Sequence, residues 1–278
     1  MTRFTRPPGW LVILALGGAM LVATTPTQAE HDRLYKALIE RVDPALVTVK
    51  FVLKTQGSYG GYDSETEIVG TMIKPEGLVL CAGRALGGMS WSGQSTPTDL
   101  KVLIGDDTEG LPAKVIARDT ELGLAWVRIK DVGDKKFDYV DLTETTTAEL
   151  GKRLLTVGRM GRFFDRAPLV TEGVMAGQAS KPRYLIVAGG PIDMTVGLPV
   201  YGANGKVVGV PVSQQPDDED LEHSSGRSYA LMGSTGSGLI LPAHKVVQAT
   251  ARALQVAQED EEEEAEAEAE TEADQDDE

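Results

Sequence analysis

Between residues 45 and 241 the chain is a succession of short, β-branched-rich runs broken by Gly, Pro and Asp, and this punctuation limits the folds open to it. The first series is Ala45 to Leu53 (ALVTVKFVL), Glu67 to Ile73, Leu78 to Cys81, Leu100 to Ile104, Ala113 to Ala117 and Leu124 to Ile129. After Asp131 to Thr147 a second series follows: Arg153 to Val157, Val170 to Ala176, Tyr184 to Val187, Pro199 to Tyr201, Lys206 to Val212 and Gly238 to Leu241. Pro75-Glu76-Gly77 reads as a compact turn, and Asn204-Gly205 as the centre of a hairpin. Two consecutive sets of about six predict an all-β pair of antiparallel barrels, at about 45–131 and 148–241.

Helical periodicity is confined to the flanks. His31 to Val42 places Leu34, Leu38 and Ile39 on one face ahead of Pro44. Pro242 opens a C-terminal helix expected over 242–258, with Val247, Ala251 and Leu254 along one side.

Charge is placed as unevenly as helix. The whole chain carries 27 Lys and Arg against 42 Asp and Glu, but Glu259 to Glu278 holds 14 of the acids and no base. Residues 30–258 carry 25 bases and 28 acids, so the expected fold is nearly neutral. Self-repulsion and the lack of an apolar face predict a disordered acidic tail, with a basic partner as its possible ligand. At the other end, Arg3 and Arg6 precede a 14-residue apolar run (Trp10 to Ala23) and the small-residue segment Thr27-Gln28-Ala29. That is the layout of a secretory signal peptide over 1–29. The run falls short of the roughly 20 residues a spanning helix needs, so no stable membrane anchor is expected after cleavage. Export to the periplasm or medium follows. The acidic balance excludes nucleic acid as a partner, since phosphate contacts need Lys and Arg. The single cysteine, Cys81, excludes a disulfide within the chain and a four-cysteine metal site; no cofactor or metal is implied.

The local phrases also fall in a known order. Gly70-Thr71-Met72-Ile73, Pro75 to Leu80, Ala113 to Asp119, Leu150-Gly151-Lys152, Thr156-Val157-Gly158, Val170 to Val174, Asn204 to Gly209 and Gly238 to Pro242 together resemble the protease domain of the HtrA/Deg group of trypsin-like serine proteases. The resemblance spans about Val47 to Leu254 and implies the chymotrypsin-like double barrel with an active cleft between the barrels. It also implies where a catalytic triad would lie. Cys81-Ala82-Gly83-Arg84 stands where the family has its histidine phrase, so Arg84 occupies that place. Gly123, ahead of Leu124-Ala125-Trp126-Val127, replaces the aspartate, and Val196 in Met194-Thr195-Val196-Gly197 replaces the serine. An arginine stays protonated and takes no proton from a nucleophile. Met194 stands at the glycine of the oxyanion hole, where a Cβ disfavours positive φ.

The chain has three histidines, His31, His223 and His244, and none lies where this fold puts its base. The resulting expectation is a pseudoprotease that binds an extended peptide or protein in the cleft through Arg84, Trp91, Met194 and Thr195. Two alternatives stand beside it: an endopeptidase using non-standard residues such as His223 or Cys81, and a scaffold whose acidic tail recruits basic partners.

Overall fold

The structure is a computed structural model that describes residues 28–57, 60–90, 93–214 and 238–275. Its first barrel comprises β1 (Leu46–Gly57), β2 (Gly60–Lys74), β3 (Leu78–Ala82), β5 (Gly93–Ile104), β6 (Leu111–Asp119) and β7 (Leu124–Ile129), with the short β4 (Gly88–Ser90) paired outside on β5. The β1–β5 ladder closes it, with Val47 opposite Ile104. The second barrel comprises β8 (Arg153–Arg159), β9 (Pro168–Ala179), β10 (Leu185–Gly189), β11 (Val200–Gly202), β12 (Val207–Val212) and β13 (Gly238–Pro242), closed in the order β10-β13-β12-β11-β8-β9. Two closed six-stranded antiparallel barrels therefore form the body of the protein, as the strand series predicts. Both expected turns are present: Gly77 N–H donates to the Lys74 carbonyl at 3.2 Å, and Lys206 N–H donates to Asn204 Oδ1 at 3.0 Å.

One apolar core passes through both barrels. It joins Phe51, Leu80, Trp126 and Val127 of the first to Leu155, Tyr201 and Val210 of the second, all at 1% exposure or less. Helix α1 (Gln28–Val42) contributes Leu38 and Val42 to it, and lies against the second barrel with the Tyr35 hydroxyl donating to Glu172. The long helix α2 (Ala243–Gln275) adds Val246, Ala249, Ala253 and Ala257 and packs on β6, β12 and β13, so it ties the two barrels together.

In two places the elements exceed the sequence expectation. Strands β1 and β2 form one ladder from Leu46↔Thr71 out to Gly57↔Gly60, although 60–66 is polar and largely exposed. A paired backbone extends a hairpin without needing an apolar face. Helix α2, expected to stop at Gln258 before a disordered tail, instead runs to Gln275. Alternating Ala and Glu are strong helix formers. The first turns beyond Gln258 are also anchored, because Glu261 takes Lys114 at 2.5 Å and Arg128 at 3.5 Å from the first barrel. A helix already nucleated and held there extends at little further expense in entropy.

Candidate functional site

Strand β3 delivers the chain to the junction between the barrels. Leu78 to Cys81 are buried, and the strand ends in a single 3-10 turn, Gly83–Leu86, that carries Arg84 exposed at its surface. Both ends of the turn are held. Gly83 N–H donates to the Gly123 carbonyl at 2.8 Å, while Arg118 donates to the carbonyls of Leu86 at 3.0 Å and Gly87 at 3.2 Å. Arg84 thereby stands at a cavity of about 510 Å³ whose walls include Leu53, Ser95, Arg118, Thr120 and Gly123.

Gly123 ends the β6–β7 loop at φ +68, and a Cβ built there would sit 2.9 Å from Cβ of Ser213 and 3.8 Å from Nε of Arg84. Ser213 comes from the second barrel, and its N–H donates to the Leu122 carbonyl at 2.8 Å. Arg84 and Gly123 are thus neighbours, and the space beside Gly123 belongs to the arginine and Ser213.

The loop ahead of β11 closes on itself. Asp193 N–H donates to Thr171 Oγ1 on β9 at 2.7 Å, and Asp193 Oδ1 accepts both the N–H of Thr195 at 2.9 Å and its hydroxyl at 2.7 Å. The Asp-x-Thr spacing is the sequence signal for such a turn. The Thr195 hydroxyl is thereby committed to the Asp193 carboxylate, and no histidine is bonded to it among the described residues. Val196 is half-buried against the shared core, and Gly197 packs on the backbone of Cys81 while its carbonyl accepts from Thr71 Oγ1 at 3.0 Å. Met194 lies against Gly238 with the core of the second barrel. Among the described residues positive φ outside glycine is confined to Asp99, Asp131, Asp165 and Arg166, so Met194 does not adopt the glycine-like conformation of an oxyanion loop.

The remaining candidates lie apart. His31 Nε2 sits 2.7 Å from Arg153 Nη2 where α1 meets β8, and His244 is exposed on the first turn of α2. Trp91 and His223 fall outside the described residues, as does the segment expected to be a signal peptide up to residue 27. Among the described residues no group of three His, Cys, Asp or Glu side chains is placed to hold a metal, and no helix is long and apolar enough to cross a membrane.

Cys81 is fully buried, and burial pushes its thiol up to about 12, with Arg118 offsetting only part of the rise. A thiol in that state supplies almost no thiolate near neutrality. Iodoacetamide at about pH 8 should therefore leave native protein unlabelled over hours while labelling the urea-unfolded chain within minutes, as read by intact mass. Rapid stoichiometric labelling of native protein would overturn this assignment.

The solved apo structure of the MamO protease domain from Magnetospirillum magneticum aligns over 75% of this chain and 97% of its own, at 20% identity and a TM-score of 0.46. No curated protein matches. The family model described as "Trypsin-like peptidase domain" matches residues 69–210, from the end of β2 through β3 with its Arg84 turn, the Gly123 loop and the Asp193–Leu198 turn to β12. Just over half of the chain lies within that match, and the protein belongs to the trypsin-like peptidase domain family.

Proposed function

We propose that this protein is an exported, non-catalytic member of the family that binds an extended, acid-bearing peptide between its barrels. The observation that carries the reading is Arg84. Its side chain is exposed at a cavity lined by the first barrel, beside Gly123 where Ser213 of the second barrel adjoins, and it makes no hydrogen bond or ion pair among the described residues. A free guanidinium in a partly apolar groove is suited to a peptide carboxylate, which it grips through two parallel N–H···O bonds. Among the described residues β4 ends its sheet, and Gly88 of that strand lines the groove, so its outer edge supplies main-chain hydrogen bonds to such a ligand.

The case against hydrolysis rests on the same geometry. An aspartate at 123 would begin from a Cβ in contact with Ser213, and the family resemblance aligns Arg84 with the position that a general base would take. Export is supported by the basic start and apolar run of residues 1–29.

Two measurements test the proposal. Purified protein incubated with unfolded casein at near-stoichiometric ratio should release no peptides, and any turnover sinks the non-catalytic reading. A labelled peptide alternating Val and Glu should bind in a salt-sensitive way, and Arg84→Glu should weaken it by about tenfold or more. Equal affinity of the variant, or of a Val and Lys peptide, would remove the cleft as the site.

A further inference from the structure

On the far side of the loop that carries Gly123, a second cavity of about 590 Å³ opens between α2, β13 and the start of β10. Its floor is apolar, with Leu122 and Leu241 almost fully buried, and Tyr184 forms a wall at 42% exposure, its hydroxyl donating to Gln178 at 3.2 Å. Its polar lining is basic. Lys245 and Arg252 lie two turns apart on one face of α2, Arg183 joins them from the second barrel, and no Asp or Glu is among the lining residues.

These cations are incompletely satisfied. Arg183 gives Nη2 to Glu121, which lies outside the lining, but its Nε–H is buried with no acceptor among the described residues. Lys245 bonds only the neutral side chain of Gln248, at 3.2 Å, and Arg252 has no hydrogen bond or ion pair among the described residues. Residues 30–258 carry nearly equal numbers of bases and acids, so a lining with three cations and no acid is a local excess of positive charge. A buried donor without an acceptor is costly, and a ligand oxygen relieves it.

We infer that this cavity binds an amphipathic carboxylate, its head held by Lys245, Arg252 and Arg183 and its acyl or aryl body laid on Leu122 and Leu241 beside Tyr184. A carboxylate satisfies the donors, and an apolar body of several carbons displaces water from the floor. The site is separate from the Arg84 cleft and stands or falls independently of peptide binding there.

Sodium decanoate is the probe, titrated into the whole protein by isothermal calorimetry. One molecule per chain should bind with a dissociation constant of about 100 μM or tighter, with decanol and decyltrimethylammonium at least about tenfold weaker. The double variant Lys245→Glu, Arg252→Glu should lose about tenfold or more, whereas Lys245→Arg, Arg252→Lys should stay within about twofold. Circular dichroism of each variant establishes that it is folded. Absence of saturable binding to the wild type below about 1 mM overturns the inference, as does decanol binding as tightly as decanoate or a folded charge-reversed variant binding unchanged.

Discussion

Trp126→Ala should lower the free energy of unfolding by about 3–5 kcal/mol, as read from urea denaturation. Trp126 lies on β7 between Leu80 of β3 and Ala117 of β6, at 1% exposure, in the middle of the shared core. Its truncation removes a large aromatic side chain from a region with buried neighbours on every side, so the cavity cannot collapse cheaply. The indole also does polar work. Its Nε1–H donates to Thr250 Oγ1 at 3.0 Å, and that hydroxyl donates in turn to the Val246 carbonyl at 2.9 Å. The indole bond fastens α2 to the first barrel, with Thr250 oriented by its bond back along the helix, while β12 and β13 hold the same helix to the second. Trp126→Phe should accordingly fall between wild type and alanine, since it keeps most of the volume but strands Thr250 without its donor. A loss below about 1 kcal/mol for alanine would mean that the core repacks and that α2 does not depend on this residue.

Strand positions were legible because burial enforces them. Leu78 to Cys81 and Leu124 to Ile129 are near-continuous apolar runs, and each is buried within the first barrel, as such runs demand. The polar half of β2 was not legible. Its residues 60–66 pair with β1 through the backbone, and a ladder that needs no buried face leaves no periodicity to read. The continuation of α2 beyond Gln258 was obscured differently: like charges argue against a helix, and the contacts of Glu261 with Lys114 and Arg128 join residues far apart in sequence.

The site divides along the same line. That Arg84 and Gly123 are neighbours followed only from the family resemblance, since β3 and the β6–β7 loop meet through folding. The hold of Asp193 on Thr195 was present in the Asp-x-Thr spacing, yet its meaning for the cleft depends on Thr171 fixing the aspartate from β9. Arg118, which braces the Arg84 turn, and the trio of Arg183, Lys245 and Arg252 carry no sequence signal, because each is an ordinary surface cation until three elements are brought together.

Gly197→Ala should be as damaging as the loss of Trp126, at about 3–5 kcal/mol, or should prevent folding altogether. Gly197 has φ +95, a conformation an alanine resists on its own account. The larger obstacle is the neighbour. A Cβ there would lie 2.7 Å from Cα of Cys81, 3.1 Å from its carbonyl carbon and 3.2 Å from its nitrogen. Those are backbone atoms of β3, which is clamped on one side by β2, where Gly70 faces Cys81, and on the other by β7, where Ala125 faces Cys81. No rotamer change relieves the contact, so either β3 shifts within its barrel or the Asp193–Leu198 turn withdraws and breaks the Thr71 bond to the Gly197 carbonyl. Gly161→Ala is the control, since a Cβ there meets nothing within 4 Å and φ is −67; it should change stability by no more than about 0.5 kcal/mol. Cys81 supplies a second readout. If withdrawal of the turn is the cheaper response, folded Gly197→Ala should expose the Cys81 thiol to alkylation under conditions where wild type is protected. The same withdrawal would loosen the frame that presents Arg84 to the cleft, so peptide affinity should fall with thiol protection. A variant with wild-type stability, protected Cys81 and intact peptide binding would show that the two barrels meet less tightly here than the Gly197 contact requires.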